Sequence, residues 1–267
     1  MTTLAQCRLG TQDLNALIAR ASNAVITLGG EQRRALSARF RAVADVEHRR
    51  LDAWLVERSG TRGPAFAWTP QSARRTLGTA ALRRDPTTDT GLVDAVHSAI
   101  DDQVLRVVAG RARSGSLAFW LGGLSRAERG LVVAEALNWS VALAEVARTI
   151  AAPWRLAPND AYYDVAAART TLRGRRDLVV TCGDERVVLR LRSGAPGRSA
   201  GAGLRADLLV ETLADPRGVA PARFVGVWPD AGVCLGVEGT IEDLRSGARD
   251  LLRTAIATRR ESPSLAA

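Results

Sequence analysis

The spacing of apolar residues along the first half of the chain predicts helices. Over residues 31–57, apolar side chains recur every three or four positions, which is the period of a helix with one buried face. A shorter amphipathic segment covers residues 12–21, and another helix is predicted over residues 91–108. Together these segments predict a helical region that occupies residues 1–158.

Two helix starts in this region carry capping signals. Thr69 followed by Pro70 predicts a helix in which the threonine caps the first turn and the proline takes the first helical position. Ser125 followed three residues later by Glu128 matches a capping box, in which both side chains accept hydrogen bonds from backbone N–H groups. The second helix is predicted to run to about Ile150 and to place Trp139 in the core, together with a set of buried apolar residues: Leu131, Val132, Leu137, Val141, Leu143 and Val146.

The pattern changes after residue 159, where apolar and polar residues alternate as they do in strands. Strands are predicted over residues 165–182 and 186–192, joined by a tight turn at Gly183-Asp184. The later predicted elements are a helix over residues 204–213, strands over 223–228 and 233–237, and a helix from residue 240 or 241 to 260.

The predicted fold class is α+β, with a helical N-terminal region followed by a small mixed β-sheet flanked by helices. We assign residues 1–158 to the helical region, residues 159–262 to the α/β core and residues 263–267 to a frayed tail. A hydrophobic content of 46% in 267 residues favours packed cores and argues against a disordered chain.

The charge of the chain suggests an anionic partner. Its 37 cationic side chains are all arginine, and the formal net charge is +9. Because phosphate neutralisation drives most non-specific binding to nucleic acid, DNA is a reasonable partner for such a chain. A GC-rich genome would also favour arginine over lysine, but that bias does not account as well for the excess of cations over anions.

Cysteine, histidine and leader patterns exclude several classes of site. The three cysteines are too far apart to indicate a disulfide framework or a zinc cluster, and there are only two histidines. A metal site would therefore depend mainly on carboxylates, which suit magnesium or manganese. The chain shows no signal peptide and no uninterrupted apolar run of about 20 residues, so we expect a cytoplasmic protein without a membrane segment.

One segment carries a family-like motif. Residues 173–194 read RGRRDLVVTCGDERVVLRLRSG, and a predicted helix follows them. This arrangement resembles the RecB-like branch of the PD-(D/E)XK nuclease superfamily, in which a strand with G-R-x-D precedes a strand ending in D-x-K-[ST]-G. Gly174 to Asp177 match the first element, and Arg190 to Gly194 align with the second. The resemblance covers about the last hundred residues and implies a restriction-endonuclease-like core.

The resemblance implies an altered catalytic centre. Asp177 would supply one metal-binding carboxylate, whereas Arg190 stands in place of the second carboxylate and Arg192 in place of the lysine. Arginine stays protonated, so it clamps phosphate but neither binds a metal nor acts as a base. We therefore expect a degenerate nuclease that binds DNA and assists a helicase or nuclease partner, without a cofactor. Phosphate contacts are expected from Arg175, Arg190, Arg192, Arg198 and Arg205.

Two alternatives stay open at this point. In the first, the chain is an active nuclease that uses magnesium or manganese, and the missing carboxylate comes from the following helix. Its catalytic residues would be Asp177 and Glu211, and its metal ligands would include Asp207, with Glu185 or His97 as further candidates. In the second, the chain is a protein-interaction module whose basic character reflects codon usage alone.

Overall fold

The computed structural model describes residues 5–8, 11–19, 26–43, 49–52, 68–84, 89–167 and 170–260. The described helices are α1 (Thr11–Ala19), α2 (Gly30–Val43), α3 (Pro70–Arg84), α4 (Asp89–Val108), α5 (Leu117–Gly122), α6 (Arg126–Thr149), α7 (Ala200–Ala214) and α8 (Ile241–Arg260). The described strands are β1 (Ala5–Arg8), β2 (Arg49–Asp52), β3 (Arg155–Ala167), β4 (Thr170–Cys182), β5 (Glu185–Leu191), β6 (Arg223–Trp228) and β7 (Val233–Glu238).

These elements fall into two compact units. An α/β unit comprises Met1–Arg62 together with Ile150–Ala267, and a helical unit comprises Gly63–Thr149. This division differs from the expected one at residue 158, because the first part of the chain contributes to the α/β unit. Two short strands cause the difference: β1 pairs with β7 and β2 pairs with β4. The expected frayed tail, residues 263–267, lies outside the described residues.

The α/β unit is built on one mixed sheet flanked by helices, which confirms the predicted α+β class. Its described strands run in the order β1-β7-β6-β5-β4, and β4 then pairs with both β3 and β2. Strands β5 and β6 are parallel, as are β2 and β4, and the remaining neighbours are antiparallel. The predicted hairpin turn at Gly183-Asp184 joins β4 to β5.

Strand β4 has a change of partner in its middle. It pairs with β3 along one edge, with β2 over residues 170–173, and with β5 over residues 178–182. Because β3 takes one edge, β2 and β5 share the other edge. Residues 174–177, the G-R-R-D segment, therefore lie between the two partner strands. The motif therefore lies where one edge of β4 changes its partner strand from β2 to β5.

Two predicted elements are longer than the elements that the structure shows. The helix expected over residues 31–57 ends at Val43, and Arg49–Asp52 forms β2 instead. Pairing with β4 satisfies the backbone groups of this segment, so tertiary contact overrides its helical spacing. The strand expected over residues 165–182 is divided between β3 and β4.

Helix α7 forms the centre of the core on one face of the sheet. Eleven of its 15 residues are buried. Leu204 and Leu208 of this helix pack with Phe224 of β6 and with buried residues of α8 such as Leu251. The helix also carries acidic residues, and these are consequently placed where water does not reach them.

The helical unit confirms the predicted capping signals and the burial of Trp139. The hydroxyl of Ser125 accepts from the Glu128 backbone N–H at 3.3 Å, and the Ser125 N–H donates to the Glu128 carboxylate at 2.8 Å. The Ser72 N–H donates to the Thr69 hydroxyl at 3.1 Å. Trp139 is 2% exposed, and Val132, Leu143 and Val146 are buried as expected. The expected burial of Leu131 and Val141 is wrong, because these side chains lie on the outer face of the helix and are 61% and 39% exposed.

Helix α6 is long and apolar enough to cross a membrane by length and composition. Its apolar residues are interrupted by Glu135 and Glu145, so the sequence contains no unbroken apolar run of that length. In the helical unit, α6 buries Val132 and Ala136 in a cluster with residues of α3, α4 and α5.

Candidate functional site

The aspartate of the motif is buried at the interruption in the sheet. Its Oδ1 accepts a hydrogen bond from Nε of Arg175 at 2.7 Å, and its Oδ2 accepts one from the backbone N–H of Leu191 at 2.8 Å. Asp177 is 1% exposed. Because Leu191 ends β5, this carboxylate connects the two strands that carry the motif. Both of its oxygens are engaged within the fold.

Arg190 and Arg192 stand in place of the second carboxylate and the lysine, and both pair with one acid of α7. Arg190 and Arg192 are two residues apart at the end of β5, so their side chains point to the same face of the sheet. Asp207 accepts from Nη1 of Arg190 through Oδ1, and from Nη2 of Arg192 through Oδ2 at 2.6 Å. The guanidinium of Arg192 also lies 5.6 Å from the centre of the Trp228 ring. Asp207 is fully buried, with 0% exposure.

A second cluster of charges lies one turn further along α7. Oε1 of Glu211 accepts from Nη1 of Arg176 and from Nη1 of Arg186, both at 3.1 Å. Arg186 also lies 3.4 Å from Oδ2 of Asp215. Because Asp207 and Glu211 are four residues apart, they lie on one face of α7, and Asp215 follows at the C-cap of the helix. That face is directed at arginines of β4 and β5.

Burial decides what these groups can do. Moving a charged side chain out of water costs several kcal/mol, and only a close partner of opposite charge with well-formed hydrogen bonds offsets that cost. The guanidinium groups supply both the charge and the hydrogen bonds. A cation that bound one of these acids would have to displace a guanidinium and leave that buried positive charge without its partner, so the ion pairs oppose the binding of other cations.

The expected metal set of the active-nuclease alternative is not assembled. Asp177, Asp207 and Glu211 are each held by different arginines, as described above. Among the residues that the structure describes, no group of three or more histidine, cysteine, aspartate or glutamate side chains could hold a metal ion. The residues at the motif therefore do not fit a magnesium or manganese centre.

The expected phosphate contacts require a similar correction. Arg175, Arg190 and Arg192 are 3%, 7% and 7% exposed, and each is paired with a carboxylate inside the protein. They do not form an exposed clamp for a phosphate chain. The physical reason is the acidic face of α7, which attracts Arg190 and Arg192 inward.

The remaining candidates lie apart from this cluster of buried charges. Arg198 is exposed in the loop before α7. Arg205 is half-buried on α7. Burial raises the pKa of the Asp243 carboxyl, and the positive charge of Arg205 offsets part of that rise. Glu185 begins β5, and His97 is exposed on α4 of the helical unit.

Sequence reasoning missed the pairing of the arginines with α7, although a signal for it exists. Residues 186, 190 and 192 are arginines at even spacing along one strand, so they share a face. The acids at 207, 211 and 215, two on α7 and one at its C-cap, recur every four residues in a mainly apolar segment. Because the strand and the helix are both mainly apolar and therefore buried, their opposite charges predict that the arginines face the acids.

Comparison with known proteins adds no family. No family model matches the chain, and no curated protein matches it. The resemblance to the PD-(D/E)XK superfamily therefore stays a prediction that depends on the motif residues.

Replacing Asp207 with asparagine tests the burial of these ion pairs. The change removes the charge that neutralises two buried guanidinium groups, so we expect the free energy of unfolding to fall by about 3–5 kcal/mol. Urea denaturation at neutral pH, followed by circular dichroism, measures this loss.

The matched control is Asp164→Asn. Asp164 also pairs with an arginine, Arg173, at 2.8 Å, but its side chain is 45% exposed. We expect this change to lower the free energy of unfolding by less than about 1 kcal/mol. Equal losses in the two variants would contradict the conclusion that Asp207 is held in a buried ion pair.

Proposed function

We propose that the chain is a RecB-like nuclease-fold protein that binds DNA without cleaving it. One observation carries the proposal: Arg190 and Arg192, which stand at two catalytic positions of the motif, both pair with the buried Asp207. Buried ion pairs take the place of the metal centre. The strands β4 and β5 followed by helix α7 supply the element order that the resemblance implies.

Chemistry supports the loss of cleavage. Metal-assisted hydrolysis of a phosphodiester needs carboxylates that hold a divalent ion, which polarises the phosphate and activates water. Arg190 cannot act as a ligand, and Asp207, the acid best placed to replace it, is engaged by two guanidinium groups. Those groups neutralise the acid, but they provide neither a Lewis acid nor an activated water.

The charge of the chain supports binding to DNA. A net charge of +9 favours a polyanionic partner. The motif arginines are paired within the fold, so the cations available for phosphate are those on the surface. A protein of this kind would direct or regulate a helicase or nuclease partner in the cytoplasm.

Incubating the purified chain with duplex and single-stranded DNA, with magnesium or manganese, tests the proposal. We expect binding that weakens steeply with salt and does not depend on divalent ions, and we expect no cleavage. Cleavage that Asp177→Ala abolishes would establish the active-nuclease alternative instead. Absence of binding even at low salt would favour the protein-interaction module.

Restoring the motif tests whether the arginines replaced a metal centre. In the double variant Arg190→Asp, Arg192→Lys, a carboxylate returns beside Asp207 and Asp177, and we expect Mn²⁺ to stabilise the protein. At a concentration of about 100 times Kd, the free energy of unfolding would rise by about 2.7 kcal/mol. Thermal unfolding with and without Mn²⁺ measures the effect.

The control is the double variant Arg190→Gln, Arg192→Gln, which removes the same positive charges without adding a carboxylate. We expect Mn²⁺ to stabilise it far less. A folded Arg190→Asp, Arg192→Lys variant that does not respond to Mn²⁺ would argue against a replaced metal centre.

A further inference from the structure

Helix α8 carries a row of exposed arginines. Arg245, Arg249 and Arg253 are four residues apart and are all exposed, and the side chain of Arg253 is 78% exposed. Residues at this spacing share one face of a helix, and successive positions are about 6 Å apart along its axis. We call these three residues the α8 row. It extends for two turns on the surface of the α/β unit.

Packing fixes the direction of this row. The opposite face of α8 buries Leu244 and Leu251, which are 2% and 0% exposed. At Gly247 the helix approaches the backbone of α7 so closely that an added Cβ would lie 2.8 Å from the carbonyl carbon of Arg205. The helix therefore cannot rotate to turn its arginines inward, and the α8 row stays directed at solvent.

Two acids flank the α8 row and offset part of its charge. The exposed Glu242 precedes Arg245 by three residues, and Asp250 is 3.4 Å from Arg253, whereas Arg249 donates to the hydroxyl of Ser246. Like charges at four-residue spacing repel each other on a helix, so the arrangement does not stabilise α8 itself. Helix α2 contacts α8 and adds the exposed Arg34 and Arg41.

We propose that the α8 row binds the phosphate backbone of duplex DNA. This inference rests on the proposed function and assigns the DNA contacts to α8 instead of to the motif arginines. A sugar-phosphate chain presents anions repeated along a line, which suits cations repeated along a helix. The planar guanidinium can also bind one phosphate through two hydrogen bonds.

The structure favours DNA over a membrane surface as the partner. A helix that binds an anionic membrane lies in the interface with its apolar face buried among the lipids. The apolar face of α8 is already occupied, because Leu244 and Leu251 pack in the core of the α/β unit. Apart from Ile256, which is 41% exposed, α8 presents mainly its charged face, and that face suits a partner bound through phosphate groups.

The test compares duplex DNA binding by the wild-type chain and the triple variant Arg245→Gln, Arg249→Gln, Arg253→Gln over a range of salt concentrations. Each lost phosphate contact lowers the slope of log K against log salt by about 0.9, so we expect the slope to become shallower by about 2.7. Between 50 and 200 mM salt, wild-type affinity would then fall about 40-fold more than that of the variant. Circular dichroism checks that both proteins are folded.

The matched control is Arg106→Gln, Arg111→Gln, Arg113→Gln, which removes three exposed arginines from the helical unit and lowers the net charge equally. We expect this control to keep the wild-type slope to within about one contact.

If the wild-type chain binds DNA and the α8 variant keeps its full slope, the α8 assignment is wrong while the proposed function stands. If the wild-type chain does not bind DNA, the proposed function fails as well. Loss of binding to anionic phospholipid vesicles in the α8 variant, without any DNA binding, would overturn the choice of partner.

Discussion

The ion pairs between the acidic face of α7 and the arginines of β4 and β5 are the constraint on which the α/β unit depends. Helix α7 is the most deeply buried helix of this unit, yet it carries Asp207 and Glu211 with 0% and 1% exposure. Neither acid could be placed there as an isolated charge. Apolar contacts hold this helix on the sheet, and Arg190, Arg192 and Arg176 allow the two acids to be buried there because they meet them with hydrogen bonds.

The same constraint restricts what evolution can change at this site. Removing one partner of a buried ion pair is strongly destabilising, whereas replacing the whole group with apolar residues is often tolerated. The arginines and acids are therefore expected to change together. On the proposed function, a guanidinium attached to the chain supplies the positive charge that a bound metal would otherwise bring. Neutralisation of the acids is then independent of metal, and hydrolysis is lost.

On the proposed function, the DNA contacts would come from surface arginines and not from the motif. Arg175, Arg190 and Arg192 are at most 7% exposed and are paired with buried acids, so a phosphate could reach them only if those acids were uncovered. The exposed arginines of α8 do not neutralise buried acids. They lie on the outer face of a helix whose inner face packs in the core. If the chain binds DNA as proposed, stability and recognition would use different arginines.

Local patterns predicted the elements of the fold better than the site. The strand over residues 223–228 and the capping box at Ser125 were predicted correctly, because a short apolar run and a capping pair are signals between near neighbours. Strand β2 was missed because its partner, β4, is more than a hundred residues away. The burial of Arg190 depends on Asp207, 17 residues later on another element, so residue type alone suggested a phosphate contact. The positions of Asp177 and the motif arginines at adjacent strands were predicted, but their mutual neutralisation required the packing of α7.

Isothermal titration of Mn²⁺ into the wild-type chain tests the central claim most directly. If buried guanidinium groups occupy the place of a metal centre, the titration will show no stoichiometric binding up to millimolar Mn²⁺. A single-site binding curve at micromolar Mn²⁺, abolished by Asp177→Asn, would contradict that claim.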